Sequence, residues 1–435
     1  MAPRLSGRTA VAACALALAL TGGAVAIGGS GSDPAPAAVA PAAPPPGHPG
    51  TAALDASVRS LQSHLRAQPK DFTSWATLGT AYVEQARTTG DPSRYAQADR
   101  ALARSLRLHP RDNDAALAGR AALAAARHDF SHALSDARRA LAVNPYSERA
   151  LSTRVDALVE LGRYAEAERA VDEADRRRPG IPVLTRFSYV AELRGDVPTA
   201  HHALTRALSS ASSPGDVAYT ATALGQLAFR QGDFGAALRH CGRALRADAG
   251  YVPALECRAR ARAGKGDRAG AVRDLRNVVA RYPLPGPLVE LGELYEAQGD
   301  SAAARDQYAL VSAWIGLARA NGVDVDLDTA LAAADHGDPK AALRAARAEW
   351  DRRRTVHTAD ALAWALHRNG KDTEALPYSR RATATGFREA SFFYHRGVIA
   401  RGTERTKWLR KALTTNPAFS PLSAPRARAL LRTAS

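Results

Sequence analysis

The chain has 435 residues, of which 46% are apolar, and 59 Lys and Arg stand against 43 Asp and Glu for a formal net charge of +16. Its length would fill three ordinary domains. Ala, Leu, Arg and Glu dominate, all good helix formers, and no stretch shows β-branched alternation, which excludes a strand-based fold.

The N-terminal residues read as a leader. Arg4 and Arg8 precede an uncharged run from Thr9 to Ser32, and Ala24-Val25-Ala26 supplies a small-x-small cleavage site. Residues 1–26 are expected to be a secretory signal peptide or, if uncleaved, an N-terminal membrane anchor. The chain would then be exported, either secreted or held on the outer face of the cytoplasmic membrane. Val11-Ala12-Ala13-Cys14 resembles a lipoprotein box, but it precedes most of the apolar core, Ala15 to Leu20, which argues against lipidation. Residues 27–52, rich in Pro, Ala and Gly, are expected to form a disordered, semi-rigid linker.

A helix carrying Leu54, Val58, Leu61 and Leu65 is predicted to cap the next region, residues 53–420, which is periodic. A turn residue followed five positions later by alanine recurs at His128/Ala133, Gly162/Ala167, Gly195/Ala200, Gly232/Ala237, Gly266/Ala271, Gly299/Ala304, Gly337/Ala342 and Gly370/Ala375. The spacing lies near 34 residues, the mark of stacked helix hairpins. Glycine takes the left-handed conformation that ends one helix, the aspartate after several of them caps the next, and the alanine lets two helices approach closely. Pro110, Pro145, Pro179, Pro283 and Pro417 separate successive hairpins. Residues 421–435 read as a C-terminal cap or tail.

Trp75-x-x-Leu78-Gly79-x-x-Tyr82, partly repeated at Leu291-Gly292-x-x-Tyr295 and Leu224-Gly225, resembles the opening signature of the tetratricopeptide repeat. The resemblance implies an all-α solenoid, a right-handed superhelix of about nine antiparallel hairpins, each burying its apolar face against its neighbours. It also implies that the first helix of each hairpin lines a concave groove for a protein or peptide segment. On this register the groove residues are Asp156, Tyr189, Gln226, Arg230, Arg260, Glu293, Glu296, Asp360, Trp364, His367 and Arg368. Trp364 with His367 and Arg368 is the leading hot spot, against the alternative that Trp364 packs within the solenoid. None of the six asparagines falls on a groove position, which disfavours a chaperone-type carboxylate clamp.

No catalytic, cofactor or metal constellation is expected. His128 and His132 have metal-like spacing, but His128 is a turn residue, so the two do not share a helix. Asp324-x-Asp326-x-Asp328 mimics a calcium loop but has Thr329 where glycine is required, and Asp328 reads instead as a helix N-cap. Cys241 and Cys257 fall on helices that pack together, either as a disulfide or as two buried thiols. Of the 59 basic residues 53 are arginine, scattered and without interleaved aromatics, so a nucleic-acid partner is disfavoured. The expected function is a non-enzymatic adaptor binding a protein segment outside the cytoplasmic membrane. The alternative is a basic envelope protein contacting anionic wall polymer or lipid.

Overall fold

The structure, a computed structural model, describes residues 51–433. The leader and most of the linker expected from the sequence lie outside the described residues. Among the described residues there are twenty-two α-helices and no strand. Helix α1 (Thr51–Ala67) comes first, with Leu54, Val58, Leu61 and Leu65 all buried.

Ten hairpins follow, one more than the expected nine. The first five pair α2 (Phe72–Thr89) with α3 (Arg94–Leu108), α4 (Asp114–Ala126) with α5 (Phe130–Val143), α6 (Glu148–Glu160) with α7 (Tyr164–Arg177), α8 (Ile181–Leu193) with α9 (Val197–Ser209), and α10 (Pro214–Arg230) with α11 (Phe234–Ala247). The last five pair α12 (Val252–Gly264) with α13 (Arg268–Arg281), α14 (Pro285–Glu296) with α15 (Ser301–Ala320), α16 (Asp326–His336) with α17 (Pro339–Arg352), α18 (Val356–Arg368) with α19 (Asp372–Ala382), and α20 (Ala390–Ile399) with α21 (Gly402–Thr415). A final helix, α22 (Ser423–Thr433), packs on α21 and buries Ala424 and Ala427.

The turn chemistry accounts for the hairpins. Gly162, Gly195, Gly232, Gly266, Gly299 and Gly370 all have φ between 71° and 90°, and His128 reaches 62° without being glycine. Asp196 and Asp300 accept from the backbone N–H of Thr199 and Ala303 at 3.1 and 3.0 Å, capping the second helices of their hairpins. The eight lattice alanines are at most 2% exposed, so each sits where its two helices touch. Two readings need correction. Gly337 has φ −143°, so the turn between α16 and α17 is not left-handed. Asp328 lies inside the first turn of α16, whose cap position is Val325.

The larger correction concerns the solenoid itself. Each repeat was expected to touch only its neighbours, but the chain completes a superhelical turn and the second turn rests on the first. Tyr282 donates to the Arg87 carbonyl at 2.7 Å across 195 residues, and His128 Nδ1 lies 2.7 Å from the Asp324 carbonyl across 196. The Val356 N–H donates to Tyr164 Oη at 2.8 Å across 192 residues, and Asn416 to the Phe229 carbonyl at 2.8 Å across 187. Most of these contacts pair the turn of an early hairpin with the connection between two late ones. The core is continuous across this seam: Val155, Leu158 and Tyr189 share one apolar cluster with Val356, Phe387 and Phe392. At the N-terminal end, Leu54, Leu61 and Tyr82 cluster with Leu284, Trp314 and Val325. The small rotation between successive repeats adds up to closure after between five and six of them. A groove open along its length therefore becomes a partly enclosed axial space.

Candidate functional site

The inner wall is built by the first helices, and opposite charges one repeat apart lock neighbours together. Asp156 on α6 accepts from Arg186 on α8 at 2.6 Å, both side chains 7% exposed. Glu192 on α8 accepts both arms of Arg230 on α10, at 2.8 and 2.9 Å. Arg260 on α12 donates to Glu290 on α14 at 2.7 Å and to Glu256 one turn back at 2.5 Å. The Arg230–Glu192 pair is bidentate, and such geometry fixes the relative rotation of adjacent helices, which an apolar contact would leave looser.

A fourth arginine joins the two superhelical turns. Arg353, between α17 and α18, donates to Glu160 at the end of α6 and to Glu349 on α17. Its guanidinium also lies 5.0 Å from the Phe130 ring centroid.

Inside this wall is a cavity of about 420 Å³. Of the expected groove residues Tyr189, Gln226, Arg230, Arg260, Glu293 and Asp360 line it; Asp156, Glu296, Trp364, His367 and Arg368 do not. Trp364 is 5% exposed, donates Nε1 to Asp335 at 3.0 Å and stacks on His395 at 4.2 Å, so it packs within the solenoid. His367 contacts Asp372 at 2.6 Å, Arg368 is exposed, and Glu296 accepts from Tyr308 within its own hairpin. The lining residues outside the expected set come mainly from the second turn: Asp328, Arg353, His357, Phe387, Glu389 and Phe392. Arg353, Phe387 and Glu389 lie in connections outside the first helices, which a groove register does not cover. The ladder of ion pairs was readable in principle, since Asp156/Arg186 and Arg260/Glu290 are opposite charges 30 residues apart.

The electrostatics are one-sided. Glu160, Glu256, Glu290, Glu293, Asp328, Asp360 and Glu389 face the cavity with only three arginines, Arg230, Arg260 and Arg353. Burial raises Glu160 to about 7 against the pull of Arg353, Glu290 to about 7 against Arg260, and Asp328 to about 7 against Arg353. The two lining histidines shift the other way: burial and the charge of Arg353 hold His128 and His357 at about 4, hence neutral at pH 7. His395 behaves differently, because Asp360 at 2.8 Å raises it despite its burial.

Cys241 on α11 and Cys257 on α12 face each other with sulfurs at bonding distance and Cα atoms 6.0 Å apart. Oxidation would close a 16-residue separation and is expected to add about 3 kcal/mol over the reduced chain. Urea midpoints with and without reductant check this, alongside thiol titration of the unfolded chain. Equal midpoints, or two free thiols in the air-equilibrated protein, would show a plain thiol pair. Among the described residues no group of three His, Cys, Asp or Glu could hold a metal ion, and no helix is long and apolar enough to cross a membrane.

Fold and inner wall together define an α-solenoid of helix hairpins whose second superhelical turn rests on its first. Residues 191–252, from the end of α8 to the start of α12, match the family model of tetratricopeptide-repeat proteins. Such proteins are generally non-enzymatic and bind other proteins. No curated protein matches the sequence. Among solved structures, the chain is similar to a tetratricopeptide repeat protein from Parabacteroides merdae, at 16% identity over 55% of this chain and 97% of that one, with TM-score 0.41. It is similar to the Cut9–Hcn1 hetero-tetramer of the APC/C at 14% identity over 88% and 83%, TM-score 0.40. It is also similar to the human IFIT1 dimer with m7Gppp-AAAA at 16% identity over 77% and 76%, TM-score 0.48. At these identities the likeness is one of fold.

Proposed function

We propose that this chain is a non-enzymatic adaptor that holds a short segment of a partner protein in the axial chamber. The observation that carries the reading is convergence: first-helix residues of both superhelical turns, from Glu160 on α6 to Phe392 on α20, meet around one cavity of about 420 Å³. That volume lies within the usual range for ligand pockets, about 300–1,000 Å³. Work outside the cytoplasmic membrane is part of the proposal and rests on the sequence of residues 1–26 alone.

The test is selection of peptides from a random display library by the purified chain, followed by chamber-filling substitutions. Gln226→Trp and Leu331→Trp put bulk on two lining positions that are not fully buried. Each is expected to weaken selected peptides at least tenfold while leaving the thermal melt in place. Arg344→Trp, on an exposed position, is expected to leave affinity unchanged. Undiminished binding by both chamber variants would put the partner elsewhere.

The second reading, contact with anionic envelope polymer or lipid, draws on one contrast. A chain of net charge +16 with an acid-lined interior carries its positive excess on the outside. Adsorption by that surface would weaken steeply with salt, whereas binding in the partly enclosed chamber would weaken only modestly.

A further inference from the structure

We infer that the chamber takes a cationic side chain, so that the partner segment presents a lysine or arginine to the unpaired carboxylate oxygens inside. This rests on the adaptor reading and names the chemistry the same site selects. Seven carboxylates and three arginines line the cavity, and every one of those arginines is already engaged by protein carboxylates. Arg230 is held by Glu192, Arg260 by Glu256 and Glu290, and Arg353 by Glu160 and Glu349. An anionic ligand would find no uncommitted cation there and would face an excess of negative charge.

The acceptor side is not exhausted. Asp360 is 2% exposed and gives one oxygen to His395, while its Oδ1 is buried with no hydrogen-bond partner. Glu290 gives Oε1 to Arg260, and its Oε2 is likewise buried and unpartnered. Native proteins pair nearly all buried polar atoms, and an unpaired charged one is costly. Both oxygens belong to residues that line the chamber but are closed to a water molecule, so a donor reaches them once the carboxylate turns toward the chamber. Lysine brings three N–H donors on an apolar stem, and arginine brings five in a planar fork. Phe229, Phe387, Phe392 and Phe419 in the lining give the stem a surface and the cation aromatic faces. The positive exterior opposes approach of such a segment at long range, so the chamber must compensate locally, and salt at about 0.1 M screens that repulsion beyond about 10 Å.

The experiment uses the wild-type chain and the tripeptides Ala-Lys-Ala, Ala-Arg-Ala, Ala-Glu-Ala and Ala-norleucine-Ala, capped at both ends, in titration calorimetry at pH 8. Lysine and arginine tripeptides are expected to bind at least tenfold more tightly than the norleucine and glutamate ones. n-Butylamine, carrying the same ammonium without a backbone, is expected to bind at least tenfold more weakly than Ala-Lys-Ala. Equal affinity for n-butylamine would overturn the assignment to a peptide side chain. Asp360→Asn and Glu290→Gln, near-isosteric neutral replacements, are each expected to lose about tenfold for Ala-Lys-Ala. Equal binding of lysine and norleucine tripeptides, or no binding of either cationic tripeptide, overturns the inference without needing any variant. The adaptor reading fails separately: it falls if library-selected peptides bind the chamber-filled variants undiminished, whatever their charge.

Discussion

Gly195→Ala is expected to destabilise the chain by about 3 kcal/mol and Gly299→Ala by only about 1 kcal/mol. Both glycines close the turn of a hairpin in the left-handed region, at φ 78° and 86°, so the backbone strain of an added Cβ is common to the pair. Their surroundings differ. A Cβ on Gly195 would sit 2.5 Å from the carbonyl oxygen of Gly386, in the connection between α19 and α20. A Cβ on Gly299 would meet nothing within 4 Å. Gly386 is itself left-handed at φ 96°, so the two turns approach backbone to backbone and no flexible side chain can give way. Relief requires the second superhelical turn to lift off the first. Gly162→Ala should behave like Gly195→Ala, because its Cβ would lie 2.5 Å from the Arg354 carbonyl oxygen. Urea unfolding of the three variants is the measurement, with small-angle scattering to read any opening of the seam. Equal losses at Gly195 and Gly299 would mean that the turns do not bear on each other.

What was legible in the sequence follows the range of the forces involved. The turn glycines, the capping aspartates and the alanines at the helix crossings act within one hairpin, and their period was plain. The family resemblance named at Trp75 to Tyr82 came from the same local register. The site was only half legible. Tyr189, Gln226, Arg230, Arg260, Glu293 and Asp360 line the chamber because position in a repeat sets which way a first-helix residue faces. Trp364 obeys the same register but is covered by His395 and Asp335, since an indole beside an imidazole and a carboxylate finds partners at home. Arg353, His357 and Asp328 reach the chamber only because closure after nearly two hundred residues carries them there, and that closure is a sum of small rotations encoded in no single repeat.

Arg353→Met should be among the most damaging single substitutions in the chain, costing about 3–5 kcal/mol at pH 8. The arginine is 4% exposed on its side chain and neutralises Glu160 from the first turn and Glu349 from the second. Its removal strands the buried Glu160, leaves Glu349 to Arg352 alone, and lessens the attraction on Asp328, which also feels its charge. The loss should shrink as pH falls. Glu160 and Asp328 stand at about 7 in the folded chain, well above ordinary values of 4.5 and 3.8. Groups raised in this way favour folding at low pH, and that contribution disappears as pH rises through the folded value. Without Arg353 both would rise further, so at pH 6 the variant holds them protonated and neutral, whereas at pH 8 it must bury more negative charge. His128 and His357, held at about 4 partly by the same guanidinium, would be freed to rise and accept charge near those carboxylates. In the wild type these two histidines work in the opposite direction, their neutral burial losing stability as pH falls from about 6.5 toward 4. Denaturant midpoints of wild type and Arg353→Met at pH 8 and pH 6 give the comparison. The Glu160→Gln/Arg353→Met double variant, which leaves one carboxylate fewer without a partner, should recover part of the loss at pH 8 and little at pH 6. A loss identical at both pH values would show that packing against Phe130, and not charge, is what Arg353 supplies to the seam.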